Sequence, residues 1–124
     1  MVDKGFLEYG SKGFLKLTEA GQAELRRLEG NDYHIPIPKK WDGKWRVIIF
    51  DIKEERKTLR DKVRRTLLAL GFKHLQHSVW IFPYDCEDLI TLLKSDFKIG
   101  KDLLYLIVEK IEYDKPLKDY FGLK

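Results

Sequence analysis

Three observations predict an α+β sandwich for this chain. The stretch 44–52, KWRVIIFDI, sets Trp45, Val47 and Ile49 on one side of a strand and Ile48, Phe50 and Ile52 on the other, so both faces are apolar. That pattern suits an inner strand covered on two sides. Residues 54–70 then place Leu59, Val63, Leu67 and Leu70 at helical spacing. Beyond them come two short strand-like runs, a second helix-like run and a last strand-like run, completing the order strand, helix, strand, strand, helix, strand. An apolar fraction of 44% with 13% aromatic residues over 124 residues suffices for one packed domain with a small appendage.

Residues 3–17 read as a hairpin: Phe6, Leu7 and Tyr9 precede a Gly10-Ser11-Lys12-Gly13 turn, and Phe14, Leu15 and Leu17 follow it. Thr18 caps a helix carrying Leu25 and Leu28 inward, and Gly30 stops it. Residues 1–30 therefore form a hairpin–helix appendage. Residues 31–43 form a linker, in which Pro36 and Pro38 favour extended backbone and Trp41-Asp42-Gly43 turns into the central strand. After the 54–70 helix, ended by Gly71, runs at 72–76 and 78–83 pair as a hairpin about His77. Residues 86–94 form the second helix, with Leu89, Ile90, Leu92 and Leu93 inward, and 103–111 the last strand. Residues 114–124, with Pro116, Tyr120 and Phe121, read as a docking tail. The order within 44–113 is the ferredoxin-like β-α-β-β-α-β arrangement. Its two helices cover one face of the sheet, so the second apolar face calls for a self-associating partner.

No apolar run approaches the roughly 18–20 residues that span a bilayer, and no signal-peptide pattern opens the chain, so a cytoplasmic protein is the expectation. Cys86 is the sole cysteine, which excludes an internal disulfide and a cysteine-based metal site. The net charge of +4 is unevenly spread: residues 39–84 hold twelve basic against five acidic groups. Lys53, Lys57, Arg60 and Arg64 fall on one flank of the first helix's buried stripe, and Glu54 and Asp61 on the opposite flank. Segregation of this kind suits a face that tracks phosphates.

Asp51 is the one residue nominated for catalysis. An ionised carboxylate among bulky apolar neighbours needs a donor, a cation or a metal. Helix capping, or pairing with Arg46 or a basic residue of 53–60, competes with metal binding. His34, His74 and His77 have no cysteine or converging carboxylate near them in sequence and read as surface or turn residues. Ser78 lacks an evident base. Trp41, Trp45 and Trp80 read as packing groups rather than base-stacking platforms.

Taken together, W-D-G-K-W-R at 41–46, F-D-I at 50–52, L-x-x-L-G-F at 67–72 and L-Q-H-S-V-W-I-F-P at 75–83 resemble the central domain of PaaX-type transcriptional repressors. That domain is itself similar to the CRISPR adaptation protein Cas2, and the resemblance covers about residues 39–113. The hairpin followed by L-T-x-x-G at 17–21 similarly resembles the wing and last helix of a winged helix-turn-helix domain. The helices that would precede such a wing have no counterpart upstream of Met1, so this fragment is not expected to read a major groove alone.

The resemblance implies a homodimer through the Cas2-like domain and association with DNA, for which Arg46, Lys53, Lys57, Arg60 and Arg64 are the candidate contacts. No cofactor is expected for such a regulator, and no enzymatic activity. The alternative is a Cas2-type metal-dependent endonuclease or CRISPR adaptation scaffold beside a Cas1-type integrase. There Asp51 would be both the catalytic residue and the ligand of an Mg²⁺ or Mn²⁺ ion shared across a dimer.

Overall fold

The computed structural model describes residues 7–9, 15–30, 32–96 and 102–123. At the N-terminus β1 (Leu7–Tyr9) pairs antiparallel with β2 (Leu15–Leu17), Leu7 opposite Leu17. The expected turn at 10–13, with Phe6 and Phe14, lies outside the described residues. Helix α1 (Glu19–Glu29) starts as predicted: the Thr18 side chain accepts the Gly21 N–H at 3.1 Å and satisfies one orphan donor of the first turn.

The remaining elements are β3 (Trp45–Phe50), α2 (Lys57–Ala69), β4 (Lys73–Gln76), β5 (Val79–Phe82), α3 (Glu87–Asp96), β6 (Leu103–Val108) and α4 (Lys115–Phe121). The four later strands form one antiparallel sheet in the order β4-β5-β3-β6. This is the predicted α+β sandwich, with β3 as an inner strand between β5 and β6. The helix expected over 54–70 is shorter, because 54–56 form a 3₁₀ turn and α2 proper runs from Lys57 to Ala69. The last strand stops at Val108 rather than Ile111. Gly71, at φ +98°, closes α2 in a conformation open to a residue without Cβ.

Strand β3 is buried on both sides, as its sequence requires. Ile48 and Phe50 face the helical layer, where Val63 and Leu67 of α2 and Leu89, Ile90 and Leu93 of α3 meet Trp80, Phe82 and Leu103. Trp45 and Val47 face the other way and meet Ile81 and Leu117, with Trp41 and Phe121 alongside. The C-terminal residues thus dock through α4, covering one end of the second face. Trp41 and Trp45 stack at a tilt with centroids 4.9 Å apart. The other end stays open: Leu104 is 56% and Leu106 38% exposed, and Ile49 and Val79 are only half-buried beside them.

The stretch read as a linker is extended, as Pro36 and Pro38 favour, yet it is not loose. Tyr33 and Ile35 are buried in the main core together with Leu28 of α1. Periodicity misses this because alternate burial over a few irregular residues carries no signal distinct from a loop. No helix among the described residues is long and apolar enough to cross a membrane.

Leu117→Ala tests the second layer. Removing a buried leucine should cost about 2–3 kcal/mol and expose Trp45, so chemical denaturation should show a lower midpoint and tryptophan emission should shift to the red. An unchanged midpoint would mean that α4 contributes nothing to the core.

Candidate nucleic-acid interface and the Asp51 end of the sheet

Basic residues collect along α2 because its opposite side is committed to the core. Val63 and Leu67 are buried against the sheet, while Lys57 and Arg64 are exposed and Arg60 is half-buried. Lys53, before the 3₁₀ turn, is exposed as well. The outer surface also carries Arg65, which the sequence reading did not single out although it is exposed. No acidic residue occupies the first turn of α2, and its N-cap is Arg56, which makes no side-chain capping bond. Cations at the positive end of a helix dipole are unfavourable, and an anion there would relieve them.

Arg46 does not join this face. It is 6% exposed, and its guanidinium donates two bonds to the Asp42 carboxylate (Nη1–Oδ1 2.8 Å, Nη2–Oδ2 2.7 Å). It also donates to the carbonyls of Lys44 and Pro83, at 3.0 Å each. The bidentate bond to Arg46 lowers the Asp42 pKa to about 2, and the same bond raises that of Arg46. Arg46 therefore ties the turn before β3 to the end of β5, a structural task on the opposite side of the expectation. The signal was present in the sequence, since W-D-G-K-W-R sets an acid four residues before the arginine.

Asp51 lies one residue past β3 and is exposed, not enclosed by apolar neighbours. Ile52 turns inward instead. Helix capping and pairing with Arg46 both fail for Asp51: the 3₁₀ turn separates it from α2, and Arg46 is held by Asp42. Its backbone N–H donates to the carbonyl of Asp102 at 3.0 Å, extending the β3–β6 ladder by one pair. Two acidic residues thus end up side by side across two strands, a neighbour that a single-strand reading could not reveal. No group of three or more His, Cys, Asp or Glu able to hold a metal ion occurs among the described residues.

The other nominees take packing roles. His74 stacks on Trp80 with centroids 4.6 Å apart, and its Nε2 meets the His77 carbonyl, which fixes the β4–β5 turn. His34 is exposed beside the buried Tyr33 and Ile35. Trp45 and Trp80 are buried, and Trp41 is half-buried with the Lys118 ammonium 5.9 Å from its ring centroid. Cys86 is buried as well, and burial pushes its thiol up to about 12, so no thiolate is available near neutrality. Against known proteins, a family model described as PaaX protein central Cas2-like domain matches residues 38–118, about two thirds of the chain. No curated protein sequence matches it.

Asp42→Ala leaves a buried guanidinium without its carboxylate; because Asp42 itself is half exposed and screened by solvent, the cost should be about 1–2 kcal/mol. The folded pKa of Asp42 lies below its ordinary 3.8. Its contribution is therefore complete above pH 4 and fades as pH falls from there towards 2. Urea midpoints across that window should converge for wild type and Asp42→Ala; a gap that persists at pH 2 would show that the ion pair is not its source.

Proposed function

The chain belongs to the PaaX family through its central Cas2-like domain, and on that premise we propose that it is a dimerising, DNA-associated unit of a PaaX-like transcriptional regulator. The observation that carries the reading is the row of cations Lys53, Lys57, Arg60 and Arg64 leading into and along α2, of which Lys53, Lys57 and Arg64 are exposed and Arg60 half-buried. The opposite side of that helix is closed against the sheet. Phosphate tracking asks only for cations at intervals along an exposed face, without base contacts, so the expected binding is insensitive to sequence. The partly uncovered second face of the sheet supports self-association, since Leu104 and Leu106 are apolar side chains left in water. The described chain has no bilayer-spanning helix, and a cytoplasmic setting agrees with contact to DNA.

Four phosphate contacts imply that log K falls with log salt at a slope of about −3.6. Filter binding or anisotropy on duplex DNA between low and moderate salt measures it. Lys57→Ala with Arg64→Ala should flatten the slope by about 2 and weaken binding equally on unrelated sequences. A slope near zero, or affinity for one operator alone, contradicts this assignment.

A second reading has one observation in its favour: Asp51 beside Asp102 at an exposed sheet end suits a divalent cation. Under it the domain is a Cas2-type metal-dependent endonuclease or an adaptation scaffold working with a Cas1-type integrase. Asp51 would then bind Mg²⁺ or Mn²⁺ together with the same residue of a second copy and set a water against a phosphodiester. We expect purified protein not to cleave DNA or RNA with either metal. Because Asp51 is exposed, Asp51→Asn should change stability by less than about 0.5 kcal/mol and leave DNA affinity nearly unchanged. Cleavage that Asp51→Asn removes without unfolding would reverse the ranking of the two readings.

A further inference from the structure

The stretch 33–42 and the start of α3 leave a cavity of about 420 Å³ between them, within the size range of small-molecule sites. Its walls are largely apolar: Tyr33, Ile35, Pro36, Ile37, Pro38 and Tyr84 line it, and Ile37 is 67% exposed. Its charged lining is uneven. Asp42 and Arg46 neutralise each other through their bidentate bond. What remains is Asp85, Glu87 and Asp88 against Lys40. Acidic residues are favoured at a helix N-terminus, but Asp85 already serves that end, since its Oδ1 accepts the Glu87 N–H at 3.0 Å. The Glu87 carboxylate is half-buried and has no hydrogen bond or ion pair among the described residues, with Lys40 or any other. The Tyr33 hydroxyl senses the same field: burial raises its pKa most, and the charges of Asp88, Glu24 and Asp85 raise it further. A separate feature calls for an acceptor. Arg46 lines the same cavity and is 6% exposed; its Nη1 and Nη2 are bonded to Asp42, Lys44 and Pro83, while its Nε has no hydrogen-bond partner. A buried donor left unmet is costly.

We propose that this cavity binds a small organic cation: a primary amine on a flat apolar body that carries a hydrogen-bond acceptor away from the amine. The ammonium pairs with Glu87 and Asp85, and the body lies against the proline and tyrosine walls, where flat apolar surface is on offer. The acceptor takes the Nε–H of Arg46. An anion of the same shape meets three carboxylates and is rejected. The attraction is local, because a chain of net charge +4 does not draw cations as a whole. This inference is independent of the DNA reading, and either stands if the other fails.

Isothermal titration with three indoles of one skeleton tests this. Tryptamine supplies the amine, serotonin adds a hydroxyl acceptor, and indoleacetate puts a carboxylate in place of the ammonium. Tryptamine should bind one molecule per chain, and indoleacetate should not bind. Serotonin should bind about fivefold tighter than tryptamine, the worth of one added hydrogen bond. Glu87→Gln removes a charge at nearly constant shape and should weaken tryptamine about tenfold, while Lys40→Gln should not weaken it. Ile37→Lys sets a second cation beside the cavity from an exposed position and should also weaken tryptamine; this variant decides if Glu87→Gln misfolds. The absence of saturable tryptamine binding overturns the proposal, as does equal binding of indoleacetate or unchanged affinity in either folded variant. Serotonin no tighter than tryptamine overturns the part assigned to Arg46.

Discussion

Burial of β3 on both faces is the constraint on which the rest of the structure depends. A strand bearing Trp45 and Val47 on one side and Ile48 and Phe50 on the other has no face to give to water. It must have a neighbour at each edge, which β5 and β6 provide, and a layer above and below. The first layer is built from α2 and α3, and the second in part from α4. Arg46, on the same strand, is admitted to the interior because Asp42 and two backbone carbonyls take up its Nη1 and Nη2 donors.

This layering distributes the surfaces that remain. Helix α2 spends its apolar stripe on the sheet, so its cations face out on the far side of the helical layer. The open end of the second face and the β6 edge lie away from them. The proposed DNA contact and the proposed self-association thus call on different surfaces and need not compete. Asp51 and Asp102 stand at the end of the β3–β6 ladder, with Lys53 two residues on from Asp51.

Much of this was legible in the sequence because it depends on local period. The alternation in 44–52, the helical stripe from Leu59 to Leu70 and the Gly71 stop each specify an element without reference to the rest of the chain. The family resemblance at 41–83 was carried by residues of the same kind, and the family match extends over them. What was not legible depends on how elements meet. The sequence surrounds Asp51 with apolar neighbours, but the strand ends at Phe50 and the carboxylate emerges at the rim. For Arg46 the Asp42 partner is legible four residues away, but the bond that reaches across the sheet goes to the Pro83 carbonyl, thirty-seven residues on. The 31–43 stretch lacked periodicity, and only the packed helices provide the groove in which Tyr33 and Ile35 are buried.

The register of the central ladder also orders events during synthesis. Trp45 pairs with Val108 and Phe50 with Leu103, so β3 is made more than fifty residues before one of its two neighbours exists. While the ribosome adds α2, the β4–β5 hairpin and α3, a strand that is buried on both faces can be paired only along its β5 side. Loop closure over such a span is slow, and an open apolar edge in the meantime invites wrong partners. On a polysome, where nascent copies of the same chain lie close together, the waiting edge of β3 is the site at which two unfinished molecules would entangle. The early arrival of β5, which covers its other side, halves that hazard before β6 ends it.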